Sequence, residues 1–162
     1  MGSKNRLTPL EAGVRAPEFV LQRLEGGETS LAEILRNGPA LLAFFKISCP
    51  VCQLAFPFLE RLHETGALPV YGISQNNPRD TGAFARSYSP RLPMLLDLEN
   101  SDFPVSNAYG LTNVPTMFLV EPGGNIAQTI HGWNKQQMTA LGAASGVTIV
   151  RPEDNVPEWK AG

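Results

Sequence analysis

The sequence predicts an α/β fold, with a central mixed β-sheet flanked by helices and an N-terminal β-hairpin and helix extension. Three observations carry that expectation. Residues 41–47 form a near-continuous apolar run, too short for a core helix and suited to a strand covered on both faces. The next segment changes period, because Val51, Leu54, Ala55, Phe58, Leu59 and Leu62 fall on one helical stripe. Residues 116–120 form a second long apolar strand, and Glu121-Pro122-Gly123-Gly124-Asn125 supplies the turn that sends residues 126–130 back beside it.

The other elements follow in chain order. Residues 18–24 read as a strand closed by Gly26-Gly27, and Thr29 or Ser30 caps a short helix through Leu35. The long helix begun at Val51 stops at Gly66. Residues 70–74 then read as a strand, 79–88 as a helix and 92–98 as a strand or extended connection. Ser101 or Asp102 opens another short helix ending near Gly110, and 135–144 is the terminal helix. Asp97 and Glu99 are expected to end a strand and cap a helix. One domain spans 1–162, with its core over about 16–144 and a C-terminal tail over 148–162.

Charge and composition narrow the function. Thirteen Lys and Arg against fifteen Asp and Glu give a net charge of −2 with no basic block, which argues against nucleic acid as partner. The apolar run ends at Lys46 and Pro50, far short of the roughly 20 residues of a membrane helix. The N-terminal Met1-Gly2-Ser3-Lys4-Asn5-Arg6 leads into residues without the apolar core of a secretory signal. The chain as it stands is therefore expected in the cytoplasm, as a monomer. Met1-Gly2-Ser3 also reads as a cloning remnant, and with a natural leader removed a periplasmic or exported protein fits as well.

A chain this long buries about 70% of its unfolded surface and needs no disulfide framework. Its two cysteines therefore point to chemistry, and both lie in Cys49-Pro50-Val51-Cys52, where strand gives way to helix. Unpaired N–H groups and the positive end of the helix dipole favour a thiolate at Cys49, and a thiolate is the nucleophile of disulfide exchange. Pro50 suits the first helical position because its missing N–H is not needed there. Cys52, one turn on, can close a four-residue disulfide. Cys49 would attack a disulfide and Cys52 would resolve the mixed disulfide.

No metal is expected, since structural zinc wants four ligands and only one CxxC exists. His63 would lie about 16 Å of helical rise from Cys52 and reads as a solvated helix-end residue, with His131 at a strand end. No cofactor is expected either.

Three features together resemble the thioredoxin-fold superfamily, in particular its TlpA-like and redoxin thiol-disulfide oxidoreductases. They are Phe44-Phe45 before the CxxC, Pro57 inside the following helix, and Val114-Pro115-Thr116 before the strand Met117-Phe118-Leu119-Val120. The resemblance covers roughly 16–144 and implies a thioredoxin-like fold. It implies a kink at Pro57 and a cis bond at Pro115, with the backbone of Val114 free to pair with an extended substrate. It further implies that Ser48, Pro50, Val51, Val114, Pro115, Thr116 and Gly132 line the substrate groove. The partners it implies are protein disulfides or dithiols and an upstream thiol reductant or oxidant.

The sequence also departs from that pattern. Ser48 stands where most thioredoxins carry tryptophan. Ala43 and Ala55 stand where these families place a buried acid or a glutamate, which leaves Cys52 with no evident proton acceptor. Lys46 lies close enough to lower the Cys49 pKa, or else it is a snorkelling surface lysine. The Pro-Val pair leaves the direction of electron flow open across this fold's range of roughly −270 to −120 mV.

Two alternatives remain at this stage. A peroxiredoxin-like peroxidase using Cys49 is suggested by Ala16-Pro17-Glu18-Phe19, although Leu42, Lys46 and Pro115 replace the proline, threonine and arginine expected near its nucleophile. The other is a redox-inert binding module that keeps the fold.

Overall fold

The computed structural model describes residues 8–162, so the expectations for Met1 to Arg6 lie outside it. Seven strands form one mixed sheet: β1 Val20–Arg23, β2 Glu28–Ser30, β3 Ala40–Phe45, β4 Val70–Ser74, β5 Met94–Leu96, β6 Thr116–Val120 and β7 Ile126–His131. Their order is β2-β1-β5-β4-β3-β6-β7. β3 runs parallel to β4, and β4 to β5, while β6 joins the other side of β3 antiparallel. The sheet ends in antiparallel hairpins, β1–β2 on one edge and β6–β7 on the other.

Five helices accompany the sheet: α1 Leu31–Ile34, α2 Pro50–Glu64, α3 Pro78–Tyr88, α4 Pro104–Ala108 and α5 Lys135–Ala144. β3 sits inside the sheet and every one of its residues is buried. Leu41, Ala43 and Phe45 point into a cluster with α2, α3 and α5, whereas Ala40, Leu42 and Phe44 face Leu31, Ile34, Val105 and Tyr109 on the opposite side. A strand covered on both faces has no polar face, which is why residues 41–45 are uniformly apolar. On the first face Phe45, Phe56 and Phe84 pack with ring centroids 4.4 to 5.2 Å apart. That contact seats α2 on the sheet.

Several boundaries differ from the sequence expectations. The strand expected over 92–98 pairs only at Met94–Leu96, because the chain then turns and the Asp97 carboxylate accepts the N–H groups of Val105 and Ser106. Asp97 thus caps α4 from eight residues upstream of Val105. The helix opens at Pro104 rather than at Ser101 or Asp102, after a separate 3-10 turn at Glu99–Ser101. His63 is half-buried, not solvated: its Nδ1 accepts the Val70 N–H at 2.9 Å and holds the start of β4 against α2. Burial pushes its pKa down, because a buried imidazole favours the neutral form that can accept this bond.

Apolar packing also continues past residue 144. Ile149 and Val150 are buried in the α2/α5 cluster, and the tail then runs through a 3-10 turn at Pro152–Asp154. Asp154 takes both Nη groups of Arg61 at 2.8 and 3.0 Å, and the Trp133 indole donates to the Pro157 carbonyl at 2.6 Å. Two short strands, β8 Trp133–Asn134 and β9 Trp159–Lys160, pair antiparallel.

Two expectations follow from this packing. Phe56→Ala empties the centre of the aromatic contact and is expected to cost about 3–5 kcal/mol in urea unfolding. The Arg61 guanidinium and the Arg151 N–H draw the Asp154 pKa down to about 2, below its unfolded value near 4. Its stabilising contribution is whole above that unfolded value and drains as pH falls through the folded one. Asp154→Asn should therefore melt earlier than the unaltered chain at neutral pH. The gap should close between about pH 4 and about pH 2, whereas a gap independent of pH would contradict this role.

Candidate active site

β3 ends against the loop 46–49, and that loop is pinned from two directions. The Ile47 N–H donates to Asn76 Oδ1 at 3.0 Å, and Gln53 Nε2 donates to the Ile47 carbonyl at 3.1 Å. The chain reaches α2 at Cys49, which is the N-cap residue, with extended φ −86 and ψ 113. Its Sγ accepts the Cys52 N–H at 3.1 Å, and Pro50 occupies the first turn where no donor is required. The sulfur therefore sits at the positive end of a 15-residue helix.

The two sulfurs have different surroundings. Cys49 is half-buried and opens onto a cleft of about 360 Å³ that runs from Lys46 and Gln75 to the 111–114 loop. Cys52 is fully buried, and both sulfurs are free thiols. Burial pushes the Cys52 thiol well up, and its contact with the Cys49 thiol adds to the shift. Ala43 and Ala55 are buried in the same apolar cluster, so neither position offers Cys52 a carboxylate to take its proton.

Opposite Cys49 stands the loop before β6. The Val114–Pro115 peptide is cis, and the Cys49 thiol donates to the Val114 carbonyl at 3.4 Å. No hydrogen bond among the described residues uses the Val114 N–H. This geometry brings together four of the expected site residues: Cys49, Cys52, Val114 and Pro115. Pro50 and Lys46 line the same cleft, while Ser48 is exposed and Val51 half-buried beside it. The Cys49 N–H donates to the Lys46 backbone carbonyl at 3.3 Å, and among the described residues no hydrogen bond or ion pair joins the Lys46 side chain to Cys49.

Two expected groove residues behave differently. The Thr116 side chain is buried and donates to the Asn113 carbonyl at 2.8 Å, so it shapes the loop from behind instead of lining the groove. Gly132, at φ +66, donates its N–H to the Pro115 carbonyl but is covered on its outer side by the carbonyl of Lys160. Asn76, Gln53 and Gln75 were not legible as site residues. Asn76-Asn77-Pro78 reads as turn and cap chemistry, and only the parallel pairing of β3 with β4 brings Asn76 beside Ile47.

Residues 12–129 match the AhpC/TSA family. The chain belongs to the AhpC/TSA family. Among curated relatives, it is 30% identical over 146 residues to the thiol-disulfide oxidoreductase ResA of Halalkalibacterium halodurans, covering 88% of this chain and 78% of that protein. Its identity to ResA of Geobacillus thermodenitrificans is 28% over 129 residues, 77% of this chain and 72% of the relative.

Solved structures show the same fold as this AhpC/TSA chain. A hypothetical protein from Sinorhizobium meliloti aligns with TM-score 0.70 and 24% identity, over 96% of this chain and 98% of that one. A peroxidoxin from Mycobacterium tuberculosis aligns with TM-score 0.68 and 20% identity, over 84% and 94%. The fold is thioredoxin-like, and it is shared by proteins of both thiol chemistries, so the residues around the sulfur have to separate them. No helix among the described residues is long and apolar enough to cross a membrane.

The asymmetry between the sulfurs makes a direct expectation for this AhpC/TSA member. Iodoacetamide at neutral pH should alkylate Cys49 and leave Cys52 unmodified until the protein unfolds, read by mass mapping of each peptide. Earlier modification of Cys52 would reverse the assignment.

Proposed function

We propose that this protein is a thiol-disulfide oxidoreductase that cycles Cys49 and Cys52 between dithiol and disulfide through a mixed disulfide with protein substrates. The observation that carries this reading is the pairing of an accessible sulfur, capped by the Cys52 N–H at a helix N-terminus, with a shielded thiol one turn behind it.

In the reducing direction the Cys49 thiolate attacks one sulfur of the substrate disulfide. The substrate S–S bond breaks, and the departing sulfur leaves as a thiolate and takes up a proton. Cys52 then gives up its proton, attacks Cys49, and expels the second substrate sulfur. Two electrons pass to the substrate, and the Cys49–Cys52 disulfide is left for an upstream thiol reductant to restore. An upstream oxidant and a dithiol substrate run the same steps in reverse. The buried Cys52 thiol holds its proton in the resting protein, which keeps it from competing with Cys49 for the incoming disulfide.

The roles of the neighbours follow from their positions. Val114 offers an unpaired N–H beside the reacting sulfur for the backbone of a bound substrate. Lys46 lines the cleft and brings positive charge to its rim. The peroxidase alternative has less support, because peroxide cleavage needs donors aimed at the leaving oxygen and no arginine among the described residues lines this cleft.

Replacing the resolving thiol gives a decisive test. Cys52→Ser should accumulate a stable mixed disulfide through Cys49 with a disulfide-bonded protein, and Cys49→Ser should form none. Accumulation through Cys52 alone would reverse the roles. Consumption of hydrogen peroxide much faster than disulfide reduction would replace this reading with the peroxidase one.

A further inference from the structure

The C-terminal residues of the chain lie inside the region a substrate has to use. After the Trp133 indole holds the Pro157 carbonyl, the Lys135 N–H takes the Glu158 carbonyl at 2.9 Å, and β9 pairs with β8. The chain then crosses Gly132 so closely that a Cβ there would collide with the carbonyl of Lys160 and crowd Gly162 N at 3.0 Å. Gly162 finally rests against the Val114 carbonyl, the same oxygen that receives the Cys49 thiol, and it forms one edge of the cleft. No side chain fits between the tail and either contact. Glycine at 132 is required both by its positive φ and by this approach.

We propose that residues 158–162 act as a specificity-determining wall at the active site. They fill the Gly132 side of the approach to Cys49 and so favour disulfides presented on a compact group over those embedded in an extended chain. This inference rests on the thiol-disulfide reading above and narrows its substrate class.

The geometry behind it is simple. A disulfide sulfur must reach Cys49 across Val114, so a polypeptide carrying that sulfur continues to both sides. On one side it finds the open cleft between Lys46, Gln75 and the 111–114 loop. On the other it meets Lys160 to Gly162. A compact disulfide enters from the open side and leaves the tail in place. An extended chain has to displace β9, and its apparent reactivity is scaled down to the fraction of time the tail is off.

That displacement undoes a two-residue strand pairing anchored by the Glu158 backbone contact. A net loss equivalent to about one hydrogen bond of this kind corresponds to a discrimination on the order of tenfold. The anchors upstream, Asp154 on Arg61 and Pro157 on Trp133, keep the segment close enough to return after each turnover.

The test uses two mixed disulfides with the same chromogenic leaving group, 5-thio-2-nitrobenzoate. One is formed with cysteamine, the other with an unstructured nonapeptide centred on cysteine. Single-turnover release of the coloured thiol by the fully reduced protein is compared between the whole chain and a variant ending at Pro157. The shortened variant should raise the peptide-to-cysteamine rate ratio by about tenfold while changing the cysteamine rate little. Adding the pentapeptide Glu-Trp-Lys-Ala-Gly at millimolar concentration should bring the ratio back down.

Asp154→Asn keeps residues 158–162 and loosens their anchor. It should move the ratio in the same direction by a smaller factor, and it decides the matter if the shortened variant does not fold. With Cys49-dependent release intact, an unchanged ratio overturns the wall and leaves the proposed function standing. Absence of any Cys49-dependent release from either probe overturns both.

Discussion

A single hydrogen bond organises this protein, the one from the Cys52 N–H to the Cys49 sulfur at 3.1 Å. It caps α2, and so it is a requirement of the fold before it is a feature of chemistry. The N-cap residue and the third helical residue are the two ends of that bond, and they are also the two cysteines. Spacing that satisfies a helix start therefore places one sulfur outside at the dipole's positive end and the other inside, one turn on. The loop that delivers Cys49 is held by Asn76 and Gln53, so the cap forms at a fixed position relative to β3 and β4.

From that bond the difference between the sulfurs follows. Cys49 faces the cleft and the Val114 carbonyl, whereas Cys52 is enclosed by apolar groups that include Ala43 and Ala55. Ala43 and Ala55 place no carboxylate beside Cys52 to take its proton, and burial drives its pKa upward. In the proposed cycle this becomes a division of labour: the outer thiol meets the partner, and the inner one acts only once the mixed disulfide has formed beside it.

The tail adds a constraint of another kind. Ile149 and Val150 are part of the α2/α5 packing, Asp154 is clamped by Arg61, and Pro157 is held by Trp133, so these contacts carry the chain end toward the 132 and 114 backbones. Each contact stabilises the domain on its own account. Together they bring Lys160 against Gly132 and Gly162 against the Val114 carbonyl, at one edge of the cleft that Cys49 faces.

The amino-acid sequence by itself determined the α/β class, the buried central strand, the β6–β7 hairpin, the bounds of α5, and the CxxC at a strand-to-helix junction. These are properties of neighbouring residues: apolar period, turn composition and cap spacing act over a few positions and can be read wherever they occur. The roles of His63, Thr116 and Gly132, and which helix Asp97 caps, were decided only in three dimensions. Asp97 caps a helix across a turn, His63 serves a strand that starts after the helix ends, and Thr116 turns inward. Gly132 is covered by Lys160, which pairs with the neighbouring Trp133. For Asp97 and His63 the polar group found its partner on another element, and Gly132 is crossed by one. No local pattern encodes such a meeting, because it exists only after the sheet order has brought distant backbones within hydrogen-bonding reach.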